Sequence, residues 1–141
     1  MATRRTDIMN AFMTHIADNT TILRSNITRT YHVLGEVNDF PALTMVAEGE
    51  RREHRGGGRK IAIFSVALRA YSYDGDGTEI IGVAETLGNE LDDAVESFSQ
   101  IHENGLEECR VLTFRTDEGL FAPYGITDMQ VEFAYEVDTT I

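Results

Sequence analysis

Apolar residues recur along this chain with two different periods, and the changes between them divide it into elements. Over residues 6–17, Ile8, Met9, Phe12, Met13 and Ile16 fall at helical spacing, which predicts a short amphipathic helix with Thr6 placed to cap it. Residues 18–28 read as a loop. Short strands are predicted at residues 29–34 and, after a turn at 35–39, at 40–48, where Pro41 suits the first position of a strand. Residues 60–73 form the longest predicted strand. Phe64, Val66 and Leu68 share one face, and Ile61, Ile63, Ala67, Arg69 and Tyr71 share the other.

After a DGDG turn the period changes back to 3.6. Ile80, Ala84, Leu87, Leu91, Ala94, Val95 and Phe98 make a continuous stripe, predicting a long helix over 78–99. Its outer face holds Glu79, Glu85, Glu90, Asp92, Asp93 and Glu96 and no basic residue. Two strands follow, at 108–116 and 127–137. In the last, Met129, Val131, Phe133, Tyr135 and Val137 alternate with Asp128, Gln130, Glu132, Ala134 and Glu136. The order α-β-β-β-α-β-β predicts an α+β fold: a mostly antiparallel sheet of about five strands, with an N-terminal helix and one long helix packed on it. A chain of 141 residues with no internal repeat predicts one domain.

Charge changes the picture at one place. The chain carries a net charge of −12. Residues 1–60 nevertheless hold nine Lys/Arg against seven Asp/Glu, and residues 61–141 three against seventeen. The basic excess gathers in ERREHRGGGRK, residues 50–60, which has no apolar side chain. A phosphate-binding loop would need Ser/Thr and a helix after its Lys, and here Ile61 and a strand follow. RNA binding would ordinarily bring stacking aromatics, which the tract lacks. The remaining reading is a flexible basic hairpin loop at about 49–60 that gains order against a partner. The acidic second half argues against duplex DNA held by charge.

Other candidate chemistry reduces to structural roles. In the DGDG segment a calcium loop would place Ser72 at its first position and Val83 at its twelfth, where acids are required. The aspartates therefore read as turn and cap residues. His15, His32, His54 and His102 show no metal-ligand spacing. No nucleophile elbow or triad signature occurs. The single cysteine, Cys109, excludes an internal disulfide and reads as a small strand residue rather than a nucleophile. No apolar run is long enough for a membrane span, and MATRRTDIMNAF lacks a signal peptide's apolar core. From the residues alone, a small enzyme with a carboxylate site stays open beside a structural role.

The stretch FPALTMVAEGERREHRGGGRKIAIFSVALRAYSYDGDG, the helix after it, and the closing GITDMQVEFAYEV resemble the tail terminator, or tail-to-head joining, proteins of long-tailed bacteriophages. The matching pieces are Asp39-Phe40-Pro41-Ala42, the strand over 61–73, the helix to Phe98 and the segment 125–137, so the likeness spans nearly the whole chain. It is one of pattern and order, and other neck components of such phages, head-completion or stopper proteins, share it. The resemblance implies a virion structural protein made in the host cytoplasm. It implies a ring, hexameric in that family, that caps the head-proximal end of the tail tube, ends tube polymerisation and joins tail to head connector. It implies no enzymatic activity, no cofactor and no membrane.

On that reading three groups of residues take candidate roles. Arg51, Arg52, Arg55, Arg59 and Lys60 form a docking loop. Ile61, Ile63, Arg69, Tyr71 and Tyr73 form a subunit interface, since Tyr and Arg are enriched at interface cores. Asp128, Glu132 and Glu136, or the helix row from Glu85 to Glu96, line a channel through which DNA passes without specific binding.

Overall fold

The computed structural model describes residues 5–30 and 32–137. It has two helices, α1 (Arg5–Asn19) and α2 (Ile80–Ile101), and five strands. These are β1 (Ile27–Thr28), β2 (Ala42–Arg55), β3 (Arg59–Tyr73), β4 (Leu106–Thr116) and β5 (Tyr124–Val137). The strands form one sheet in the order β1-β2-β3-β5-β4. All neighbours are antiparallel except β1, which pairs parallel with β2 through Ile27 against Leu43 and Thr28 against Thr44. The fold is α+β with a mixed sheet.

Both helices pack on one face of the sheet, and the period of each sequence segment explains why. The stripe Ile8, Met9, Phe12, Met13 and Ile16 is buried, as is the α2 stripe from Ile80 to Phe98. They meet the inward residues of the strands: Leu43 and Met45; Ala62, Phe64, Val66, Leu68 and Ala70; and Met129, Val131, Phe133 and Tyr135. Phe133 is the centre of this layer. Its ring stacks on Phe64 at 5.2 Å and takes the edge of Phe12 at 5.0 Å, so an aromatic ladder ties α1 to two central strands. The N-terminal helix therefore packs on its own sheet.

Three expectations are corrected. Among the described residues of the strand predicted over 29–34, none is in a strand. The paired residues are Ile27 and Thr28, and residue 31 lies outside the described part. Side chains satisfy this backbone instead: the Tyr71 hydroxyl donates to the His32 carbonyl at 2.6 Å, and the Val33 N–H donates to Glu36 at 3.1 Å. The loop over 49–60 is much shorter than its composition implies. β2 runs to Arg55 and pairs residue by residue with β3 from Glu50↔Phe64 to Arg55↔Arg59, leaving only Gly56–Gly58 outside the ladder. Gly57 and Gly58 adopt φ of 79° and 78°, a left-handed backbone that favours glycine, so the tripeptide makes a tight reversal. Finally, α2 starts at Ile80 rather than 78. Asp76 accepts the Thr78 N–H at 3.0 Å and Asp74 accepts the Glu79 N–H at 2.9 Å, which assigns the aspartates of the turn to holding backbone.

Candidate functional site

The helix-free face of the sheet carries most of the residues singled out in the sequence. Alternation places Arg51, Glu53 and Arg55 of β2 there, with Arg59, Ile61, Ile63 and Arg69 of β3. Asp128, Glu132 and Glu136 of β5 join them, with Arg110 and Arg115 of β4. The five basic residues of the hairpin thus divide. Arg51, Arg55 and Arg59 lie on this face, and Arg52 and Lys60 on the helix side.

On the helix-free face the charges form a lattice. Glu132 lies between Arg110, at 3.1 Å, and Arg51, at 3.8 Å. Glu136 accepts from Arg59 at 3.3 Å, and Glu107 pairs with both Arg59 and Arg55. Glu53 lies 3.5 Å from Arg55 and 3.8 Å from Arg51. At the other end of the sheet the Arg69 guanidinium donates to both oxygens of Asp128, at 2.7 and 3.1 Å, in the fork geometry arginine favours. Hydrogen bonding to Glu136 first, and then the charges of Glu136 and Glu107, hold the Arg59 guanidinium above its ordinary range. Each of Asp128, Glu132 and Glu136 therefore already holds an arginine of the same chain.

The same face holds a small apolar cluster. Ile61, Ile63 and Ala134 are buried on the face that lacks helices, where Ile63 faces Arg51 and Ile61 faces Glu53 across the β2–β3 ladder. Of the five residues expected at a subunit interface, Ile61 and Ile63 belong to this buried cluster. Tyr71 is buried and bonded to His32, and Arg69 is held by Asp128. Only Tyr73 is well exposed, at 48%, and it sits in an aromatic group with Phe40 and Tyr124 at ring separations of 5.2 to 5.9 Å.

On the helix side of the hairpin, Glu50 accepts from the Tyr135 hydroxyl at 2.8 Å and from Arg52 at 3.0 Å. Burial first, and then Glu50, push the Tyr135 hydroxyl up to about 12. This anchor was not evident in the sequence. Glu50 and Tyr135 are 85 positions apart, and nothing in either segment's own sequence points to the other. Two further surfaces were missed for the same reason. Gln130 donates to Glu48 at 2.6 Å beside the bulge between Ala47 and Glu50. A groove of about 620 Å³ opens between α2 and the end of β3, with Phe40, Pro41, Tyr73 and Val83 as its apolar lining and Glu79 and Glu90 also in its wall.

Cys109 is buried against α2, where its thiol donates to the Val95 carbonyl at 3.2 Å. Loss of solvation is the main cause that pushes the thiol up to about 12. Such a group is inert as a nucleophile near neutrality. Among the described residues no group of His, Cys, Asp and Glu could hold a metal ion, and no helix is long and apolar enough to cross a membrane.

No curated protein matches the chain. A family model does match, over residues 2–141 and hence nearly its whole length, and it shows that the chain belongs to the Bacteriophage Tail Tube Terminator Protein family, a structural family of the phage tail and not a family of enzymes.

Proposed function

We propose that the protein acts as a ring, hexameric in its final assembly, that caps the head-proximal end of the tail tube, stops further polymerisation and presents a surface to the head connector. The single observation that carries this reading is the family match over residues 2–141. The charge pattern of the sheet supports it. Under this proposal the helix-free face is turned towards the channel, with Asp128, Glu132 and Glu136 on its wall. Bare arginines on such a wall would grip DNA phosphates, because each neutralised phosphate releases counterions. Here Arg51, Arg59, Arg69 and Arg110 each lie beside a carboxylate of the same chain, which offsets the positive charge that the wall offers to DNA.

The hairpin takes the docking role, with Arg51, Arg52, Arg55, Arg59 and Lys60 meeting the adjoining ring of the tube. Its form differs from a floppy arm. It is a ladder that stands beside β5 as far as Lys60↔Val137, and its arginines remain about half exposed and free to exchange partners. Exposed pairs of this kind each contribute about 0.2–1 kcal/mol, so exchange for an intermolecular carboxylate is close to neutral in energy.

Electron microscopy of tails assembled without this protein tests the reading. Overlong tubes are expected. Tubes of normal length that lack heads would instead assign the protein to the connector side of the neck.

A further inference from the structure

The two edges of the sheet carry unlike surfaces. At the β4 edge, the Phe114 ring lies directly on Gly88 of α2, where an added Cβ would come within 2.0 Å of it. Ile81 is two helical turns before Gly88 on the same stripe, and its side chain approaches Gly119 in the loop that carries Leu120 and Phe121. Phe114, Ile81, Leu120 and Phe121 are exposed by 42, 43, 77 and 48%, Phe114 lying against the α2 stripe to which Ile81 belongs and the last two directly after Gly119 in the chain. Glu85 and Asp92 belong to that stripe, each four residues from one of its members. Both are exposed, and neither has a cation within ion-pair distance among the described residues.

The opposite edge, where β1 lies, has the reverse composition. Leu23 and Val33, exposed by 59 and 48%, flank β1 in the chain, with Arg24 and Arg29 exposed beside them. Neither arginine is ion-paired among the described residues. Two carboxylates lie on this side, and both have partners of their own: Glu36 holds the Val33 N–H and lies 3.7 Å from His32, and Asp39 accepts from the Asn26 amide at 3.1 Å.

We propose that neighbouring copies of this chain associate flank to flank, the acidic apolar surface of α2, β4 and the β4–β5 loop seating on the basic apolar surface around β1. The proposal rests on the ring reading and names the two surfaces that close it. Isolated apolar residues on a surface need no explanation, but exposed apolar residues grouped with charges of one sign mark an interaction site. Two different, complementary surfaces on opposite sides of one subunit are what a head-to-tail ring requires. Side chains carry the contact rather than added strand pairing, because bulges between Leu106 and Glu108 and between Val111 and Thr113 break the regularity of β4. This arrangement also leaves the buried Ile61, Ile63 and Tyr71 inside the subunit.

Paired charge reversal tests it. E85R/D92R makes both flanks basic, and R24E/R29E makes both acidic. All four positions are exposed, and circular dichroism checks that each variant folds. Sedimentation velocity and electron microscopy then follow assembly of each variant alone and of an equimolar mixture, both free and on purified tail tubes. Each variant alone is expected to need about a hundredfold higher concentration than the wild type, since like charges face each other across the contact. The mixture is expected to recover assembly as rings of alternating subunits. Wild-type assembly by either variant alone, or a mixture no better than its components, overturns the assignment of these flanks and leaves the ring reading intact. A wild type that forms no ring either free or on tubes overturns both.

Discussion

Truncating Phe12 to alanine measures how strongly α1 belongs to its own sheet. The side chain is fully buried, with Phe98 at 5.2 Å and Phe133 at 5.0 Å, the latter ring at 78° to it. Removing a buried phenylalanine costs about 3–5 kcal/mol, the transfer term plus the cavity left behind. The site has little room to collapse, because Phe64 on the far side of Phe133 is stacked in turn. Against a domain stability of about 5–15 kcal/mol, this is a loss of roughly two to four orders of magnitude in the folding equilibrium. Urea denaturation followed by far-ultraviolet circular dichroism reads it directly. With a slope of about 2 kcal/mol/M, the midpoint should fall by about 2 M at unchanged slope. A double-mutant cycle with Phe133→Leu should retain a coupling of about 0.5–1.5 kcal/mol from the edge-to-face pair. A loss below about 1 kcal/mol, or one that varies with protein concentration, would refute the reasoning, because α1 would then be docked elsewhere or on another copy.

Two further outcomes follow from the sheet. Asp128→Asn should cost about 1 kcal/mol in the same assay, since a bidentate pair that is two-thirds buried is worth more than an exposed one, and Arg69→Ala should couple to it in a cycle; additive effects would show that the fork is not an energetic unit. Cys109 should resist a disulfide reagent in the native protein at neutral pH and react once urea unfolds it. Its thiol ionises near 9 when exposed and near 12 when folded, so it stabilises the fold below pH 9 and that contribution is lost as pH rises from 9 through 12. Rapid native labelling would contradict its burial.

The parts of the fold that were legible in the sequence are those where one physical period dominates. Seven apolar positions of α2 and five of α1 repeat at 3.6 and are buried as expected. β5 alternates over Met129–Val137 with Ala134 as the one apolar residue of the outward row, and its inward row is the floor of the core. The hairpin was not legible because residues 50–55 of β2 are polar on both faces, so alternation leaves no trace in composition. Their pairing is dictated by β3 opposite them and by distant carboxylates of β4 and β5, Glu107 for Arg55 and Glu132 for Arg51. β1 is two residues long, below the length at which any period can be recognised. The candidate site shows the same division. Which face each residue occupies could be read from parity, and Asp128, Glu132 and Glu136 do share one face. That each is matched to an arginine depends on strand register, which one sequence does not reveal.

The three-glycine tip has a consequence for how the hairpin meets another molecule. Its flanking residues are held in a backbone ladder before any encounter, so little chain freedom is left for a partner to remove. Docking there should carry a heat-capacity change proportional to the apolar area covered, with no additional component from folding coupled to binding. Calorimetry of the hairpin's association would thus resemble that of two rigid bodies, despite a sequence whose composition is that of a disordered linker.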